Sequence, residues 1–226
     1  TELFKPALPL VLTIAIIVSV LQQITAINSV FFYAPMIFEQ SGIGTNAAFS
    51  QAILVGITNL VFTVLAILFI DRFGRKILLG FGLTGIALSM FILSFGFNSA
   101  TYTLTPESVE NLPAHVNRSE LSGFMGKTFY SDVEFKNAIV ESFGEEDSKK
   151  VESDLITAAI DINSLLILLG IIGFVASFAI SIGPVMWVLF SELFPNYIRG
   201  LAISFVGFIN SGVSFLVQLV FPWELS

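Results

Sequence analysis

Three amides, Gln22, Gln23 and Asn28, fall within seven residues of one another in the stretch LQQITAINSVFFYAP, Leu21 to Pro35. An amide side chain both donates and accepts hydrogen bonds, so such a cluster can meet a solute rich in hydroxyls. The rings of Phe31, Phe32 and Tyr33 follow at once and offer an apolar face for the C–H side of that solute. The setting makes the amides conspicuous, because the preceding residues Leu8 to Val20 hold only Pro9, Thr13 and Ser19 among apolar neighbours. Carrying an amide into hydrocarbon without a partner costs a few kcal/mol, so these groups, with Asn59 and Asn210 further along, are expected to face a bundle interior or a wet cavity. Hydrogen bonds between helices, about 1 kcal/mol or less each, would account for one or two amides. Three so close together, with Thr25 and Ser29 among them, fit a water-lined site better.

On a straight helix at about 100° per residue, Gln23 sits about +100° and Asn28 about −120° from Gln22. Such a helix cannot aim all three at one ligand. Either it is broken near Ala26, as in transporter helices whose freed backbone lines a cavity, or the polar arc faces a wide cavity.

The elements that carry these residues are membrane spans. Of the 226 residues 55% are hydrophobic and 12% charged, 24 are phenylalanine, and the mean hydropathy is +0.88. That lies outside the range of soluble domains. A hydrocarbon core takes about 20 helical residues, and besides the opening segment four windows are long enough: Gln51 to Ile70, Ile77 to Phe97, Leu165 to Phe190 and Leu201 to Phe221. The expected fold is an all-α membrane protein, a bundle of five transmembrane helices whose surroundings are the lipid bilayer. Stripes of small residues, Gly82, Gly85 and Ser89, then Gly170, Gly173 and Ser177, then Ser204, Gly207, Ser211 and Ser214, read as close helix packing.

Lysine and arginine in the short connections set the orientation. Arg72, Arg75 and Lys76 lie between spans two and three, Arg199 between spans four and five, and Lys5 before span one, so these ends are read as cytoplasmic. The connection from Glu39 to Ser50 has no lysine or arginine and fits the other side. Residues 1–97 thus hold spans one to three, 98–164 a long acidic extracytoplasmic segment, and 165–226 spans four and five. In the acidic segment Phe135, Ile139 and Phe143 recur at helical spacing, and Val151, Leu155, Ile156 and Ala159 follow after Gly144, which predicts two short amphipathic helices. Asn117-Arg118-Ser119 is a pattern that can accept a glycan if the source is eukaryotic.

Other chemistries find no support. No cysteine is present, and the one histidine, His115, reads as a solvated loop residue, so no metal is expected. No phosphate-binding loop of the GxxxxGK[ST] type and no catalytic constellation occurs, which argues against an ATP-driven pump or a membrane enzyme, and no cofactor or nucleic acid is expected. The chain begins at Thr1 without methionine and stops at Ser226 just past the fifth span, so it reads as an excerpt.

The runs QQITAIN followed by FFYAP, then NLVFTVLAILFIDRFGRK, then GPVMWVLFSELFPNYIRG are similar to the sugar porters of the major facilitator superfamily. The resemblance covers all five spans and both cytoplasmic connections. It implies a partial C-terminal half of a twelve-span fold, spans seven to eleven, with a missing N-terminal half of the same transporter as partner. It further implies that Gln22, Gln23, Asn28, Asn59 and Asn210 hydrogen-bond a small-molecule sugar, that Phe32 forms part of the pocket wall, and that Trp187 lies near the sugar from the cytoplasmic side. Departures from the commoner pattern are Ala26 where glycine often stands, Phe32 for tyrosine, Ala179 where some members have glutamate, and Ser211 for tryptophan.

Asp71, Arg72, Arg75, Glu192 and Arg199 gather at the inner ends of spans two, four and five. Pro195 ends the helix bearing Glu192, so the chain is expected to fold back and bring Arg199 near that acid. By resemblance, DRFGRK and SELFP-x3-RG form a charge network that holds the inner gate shut. The implied function is transport of a monosaccharide, hexose or pentose, by alternating access, as a uniporter or proton symporter in the cell membrane. The alternatives are transport of another polar solute, such as a polyol or inositol, and a non-transporting sugar sensor. In proton-coupled members the coupling carboxylate lies on the N-terminal half.

Overall fold

The computed structural model describes residues 8–31, 45–110, 112, 113, 115–123 and 125–225. Phe32 and the first part of the Glu39–Ser50 connection lie outside them. Five helical spans among the described residues are long and apolar enough to cross a membrane: Pro9–Phe31, Phe49–Phe73, Arg75–Asn98, Ser164–Leu193 and Arg199–Val220. The chain divides into two compact units, one comprising the described parts of 1–34, 53–88 and 172–226, the other those of 35–52 and 89–171.

In the first unit, helix α1 (Pro9–Ile24) opens with proline at its first position, where the missing N–H costs nothing. It stops at Thr25 and Ala26, and helical backbone resumes over 27–31. Ala26 has φ 58°, the left-handed region. Span one is therefore broken at Ala26, the first of the two alternatives that the amide geometry left open. Helix α2 (Thr45–Phe73) turns at Gly74, φ 82°, into α3 (Arg75–Asn98), and glycine takes that conformation without steric cost.

The fourth span, expected as one run, is two helices, α6 (Ser164–Ile180) and α7 (Ile182–Leu193). Pro184 explains the break at Ser181, since its ring has no N–H and crowds the carbonyl four residues back. Helix α8 (Arg199–Leu225) completes the unit. Leu12 and Ala15 of α1, Met186 and Phe190 of α7, and Ala202 and Val206 of α8 form a common buried core. Helices α3 and α6 come so close that a Cβ added at Gly82 would overlap the Ser181 side chain and lie 2.8 Å from the Ser177 carbonyl oxygen.

The second unit contains the acidic segment, which has its own core. Strand β1 (Thr101–Thr103) sits between β2 (Thr128–Phe129) and β3 (Ile160–Asp161), both antiparallel to it. The pairing of Tyr102 with Ile160 ties together the two ends of the segment. This small sheet is an addition to the all-α expectation. After the short helix α4 (Pro106–Glu110), helix α5 (Asp132–Ala159) starts at Ser131, whose hydroxyl accepts the Val133 N–H at 3.2 Å, and breaks at Gly144, φ 77°. Its apolar stripe buries Phe135, Ile139, Val151 and Leu155, so the two amphipathic helices are present as expected. Tyr102 stacks on Phe135 with ring centroids 5.5 Å apart. His115 is half-exposed and its Nε2 stands 2.9 Å from Asp154 Oδ2.

Candidate functional site

The break at Ala26 lets residues on both sides of it converge on α8. Thr25 Oγ1 donates to the Gln22 carbonyl at 2.6 Å and the Ala26 N–H to that of Gln23 at 3.0 Å, which satisfies carbonyls freed at the helix end. Asn28, turned away on a straight helix, then donates its Nδ2 to Gln23 Oε1 at 2.9 Å. Gln23 Nε2 donates to Asn210 Oδ1 at 2.8 Å, and Asn210 Nδ2 donates to Gln22 Oε1 at 2.9 Å and to the Ser19 carbonyl at 3.2 Å. Gln22 Nε2 reaches the Ile182 carbonyl at the start of α7 at 3.4 Å. Gln22, Gln23 and Asn210 are buried, as amides with this many partners can be without the desolvation cost of an orphaned group.

A cavity of about 350 Å³ opens beside this cluster. Gln23 and Asn28 line it from span one, and Asn210, Ser211, Ser214, Phe215 and Gln218 line it from α8. Ser214 and Gln218 were not among the sequence candidates. Ser214 read as a packing residue, yet its Oγ accepts from Asn28 Nδ2 and from Gln218 Nε2, each at 2.9 Å. The signal was available: Asn210, Ser214 and Gln218 stand four residues apart on one helix face, and Gln218 is an amide within an otherwise apolar and small-residue span.

Four of the candidates, Gln22, Gln23, Asn28 and Asn210, thus form one network. Among the described residues no hydrogen bond joins Asn59 or Trp187 to it. Asn59 is half-buried on α2. Trp187 is 44% exposed on α7, packs edge-on against Phe190 with centroids 5.9 Å apart, and faces Gly207 of α8. Ser29 is fully buried, with its hydroxyl unpartnered among the described residues. A second cavity, about 420 Å³, is walled by Phe69, Phe73, Ile77, Leu78, Phe81 and Ile180 and presents no polar side chain.

At the charged ends of the spans, the turn at Gly74 sets Arg75 one helical turn from Asp71, 3.2 Å away. The Arg75 guanidinium grips both carboxylate oxygens of Glu192, with Nε 3.1 Å from Oε2 and Nη2 on Oε1. This two-pronged contact is the strong form of an arginine–carboxylate pair. Arg199 does not take the place expected for it. Its Nε donates to the Phe194 carbonyl at 3.3 Å, capping the turn that follows α7, and among the described residues no ion pair links it to Glu192. Arg72 is exposed.

The chain is similar to known proteins in sequence and in fold. The family model described as sugar (and other) transporter aligns with residues 3–112 and 151–226. The D-xylose-proton symporter of Escherichia coli (strain K12) is 32% identical over 212 residues, which cover 94% of this chain and 31% of that protein. The arabinose-proton symporter of Bacillus subtilis (strain 168) is 26% identical over 222 residues, 98% of this chain and 35% of that one. A crystal structure of a D-xylose-proton symporter superposes with a TM-score of 0.61 at 31% identity, covering 94% of this chain and 34% of that one. The chain spans about a third of the length of these relatives. With its family match over most of its residues and its multi-pass helices, the chain is an integral membrane protein and belongs to the sugar porter family of the major facilitator superfamily.

Proposed function

We propose that the chain forms part of the C-terminal half of a transporter that moves a monosaccharide, hexose or pentose, across a cell membrane by alternating access, as a uniporter or proton symporter. The observation that carries this reading is the amide network of Gln22, Gln23, Asn28 and Asn210 beside a cavity between span one and α8. Hydroxyls of a pyranose each donate and accept, and amides answer both demands. Relatives named for D-xylose and arabinose support a sugar as the solute. Nothing in this chemistry calls for an enzyme or a cofactor.

In this reading Asn59, Trp187 and Phe32 complete the sugar site with residues of the N-terminal half. Asp71, Arg72, Arg75, Glu192 and Arg199 form the gate at the cytoplasmic ends, and residues 98–164 form an extracytoplasmic cap. In the full-length protein, Gln23→Ala, Asn28→Ala and Asn59→Ala are each expected to weaken sugar binding roughly two- to tenfold, since one hydrogen bond is worth about 0.5–1.5 kcal/mol net. Sugar is titrated into each purified variant while its melting temperature is followed. Undiminished stabilisation by sugar in all three would overturn the assignment, because amides that only join helices would lower stability equally with and without sugar.

A further inference from the structure

Donors and acceptors around the cavity are unequally spent. The amide orientations are fixed where nitrogens face backbone carbonyls, which only accept: Asn210 on Ser19, Gln22 on Ile182, and Gln218 Nε2 on Ser214 at 3.2 Å. Gln23 Nε2 is then held by Asn210, and Gln23 Oε1 takes one Asn28 hydrogen. The other Asn28 hydrogen goes to Ser214 Oγ, which also accepts from Gln218, so both lone pairs of that hydroxyl are used. Besides the Ser211 hydroxyl, three polar groups around the cavity have no partner among the described residues: Asn28 Oδ1, Gln218 Oε1 and the Ser214 hydroxyl hydrogen. All three belong to residues that line the cavity.

We propose that these atoms form an acceptor–donor–acceptor edge that reads two neighbouring hydroxyls of the solute, which makes Ser214 and Gln218 specificity-determining residues. The inference rests on the sugar-binding reading above. Each solute hydroxyl donates to one amide oxygen, and one of them also accepts from Ser214. The hydroxyl at the centre is 2.9 Å from both amide nitrogens, so the two amide groups that carry the open oxygens directly flank it. Gln22, Gln23 and Asn210, whose nitrogens are already engaged, hold the edge in position. Packing alone does not account for Gln218, because an apolar residue would fill that face of α8 without leaving an amide oxygen open in a membrane span.

The test is isothermal titration of the purified full-length transporter with D-glucose and its 2-, 3-, 4- and 6-deoxy analogues. Wild type is compared with Gln218→Met, Ser214→Ala and Asn28→Ala. Gln218→Met is expected to bind D-glucose roughly two- to tenfold more weakly, and to bind the one analogue lacking the hydroxyl it reads as well as wild type does. Ser214→Ala is expected to single out the same or the adjacent hydroxyl, and it carries the test alone if Gln218→Met does not fold. An equal loss across all analogues, or no loss, overturns the edge. If Asn28→Ala weakens binding while both α8 variants match wild type, the amide site stands and the edge falls. D-xylose and L-arabinose are titrated into wild type alongside; if it binds neither these pentoses nor any of the glucose series, both readings fall together.

Discussion

Ala26 holds the left-handed backbone conformation, φ 58°, that interrupts the helix of span one. The region costs an L-residue roughly 1–2 kcal/mol and glycine very little. The surroundings keep it there: the Ala26 N–H bonds the Gln23 carbonyl and the Val30 N–H bonds the Ala26 carbonyl, each at 3.0 Å. Glycine at this position would relieve the strain but lose more chain entropy on folding, by about 0.5–1 kcal/mol. Ala26→Gly in the full-length protein is therefore expected to stabilise by about 0.5–1 kcal/mol. Thermal unfolding in detergent checks this, and a lowered melting temperature would show that the break is not strained. The same break brings Asn28 to Gln23 and Ser214, so its cost is repaid in satisfied amides.

Helices α3 and α6 are held together by the absence of side chains. A methyl group at Gly82 would meet Ser181 and the Ser177 carbonyl, and backbone cannot move aside as a flexible side chain can. Gly82→Ala is expected to cost about 1–3 kcal/mol through overpacking, read as a fall in melting temperature, whereas the same change at Gly80, where nothing lies within 4 Å, should have little steric effect. In the acidic segment the phenol of Tyr102 has its pKa raised above the ordinary 10.0, first by burial and then by the Asp132 carboxylate. The folded state holds that proton more tightly than the unfolded state. Its contribution is therefore whole below pH 10.0 and is lost as pH rises through the folded value. Hydrogen exchange in the segment is expected to accelerate above that pH in the wild type, and Tyr102→Phe should remove this alkaline step.

Across the whole chain, large apolar side chains remain exposed along the spans, among them Leu60, Phe81, Phe91 and Phe208. Surfaces of this kind need lipid or further protein against them. The Arg75–Glu192 pair joins the start of α3 to the end of α7, 117 residues apart, and in the proposed cycle it latches the gate. Its side chains are 31% and 47% exposed, so it is worth about 0.2–1 kcal/mol, with more available if Asp71 acts with it. Arg75→Ala and Glu192→Ala are each expected to raise labelling of a cysteine placed at the cytoplasmic side of the full-length transporter, partially and to similar extents. The double variant should add little to either, because the partner is already lost. Unchanged labelling would remove the pair from the gate.

Hydropathy placed the five spans from sequence because the cost of moving a residue into hydrocarbon belongs to the residue itself. The same local logic exposed Gln22, Gln23 and Asn28 as misplaced polar groups, required a break or a wide cavity near Ala26, and located the kinked helix around Gly144. Contacts between distant segments were not legible in this way. Asn28 meets Ser214 across 186 residues, and Glu192 takes Arg75 where local folding of the chain pointed to Arg199. The three-stranded sheet pairs residues far apart in the chain through strands too short to show a pattern. Ser214 could not be told from a packing serine until the hydroxyl was seen between two amides. Such pairings depend on where whole helices lie, and here breaks at Ala26 and Ser181 interrupt two of the spans that form them, so only the tertiary structure decides them.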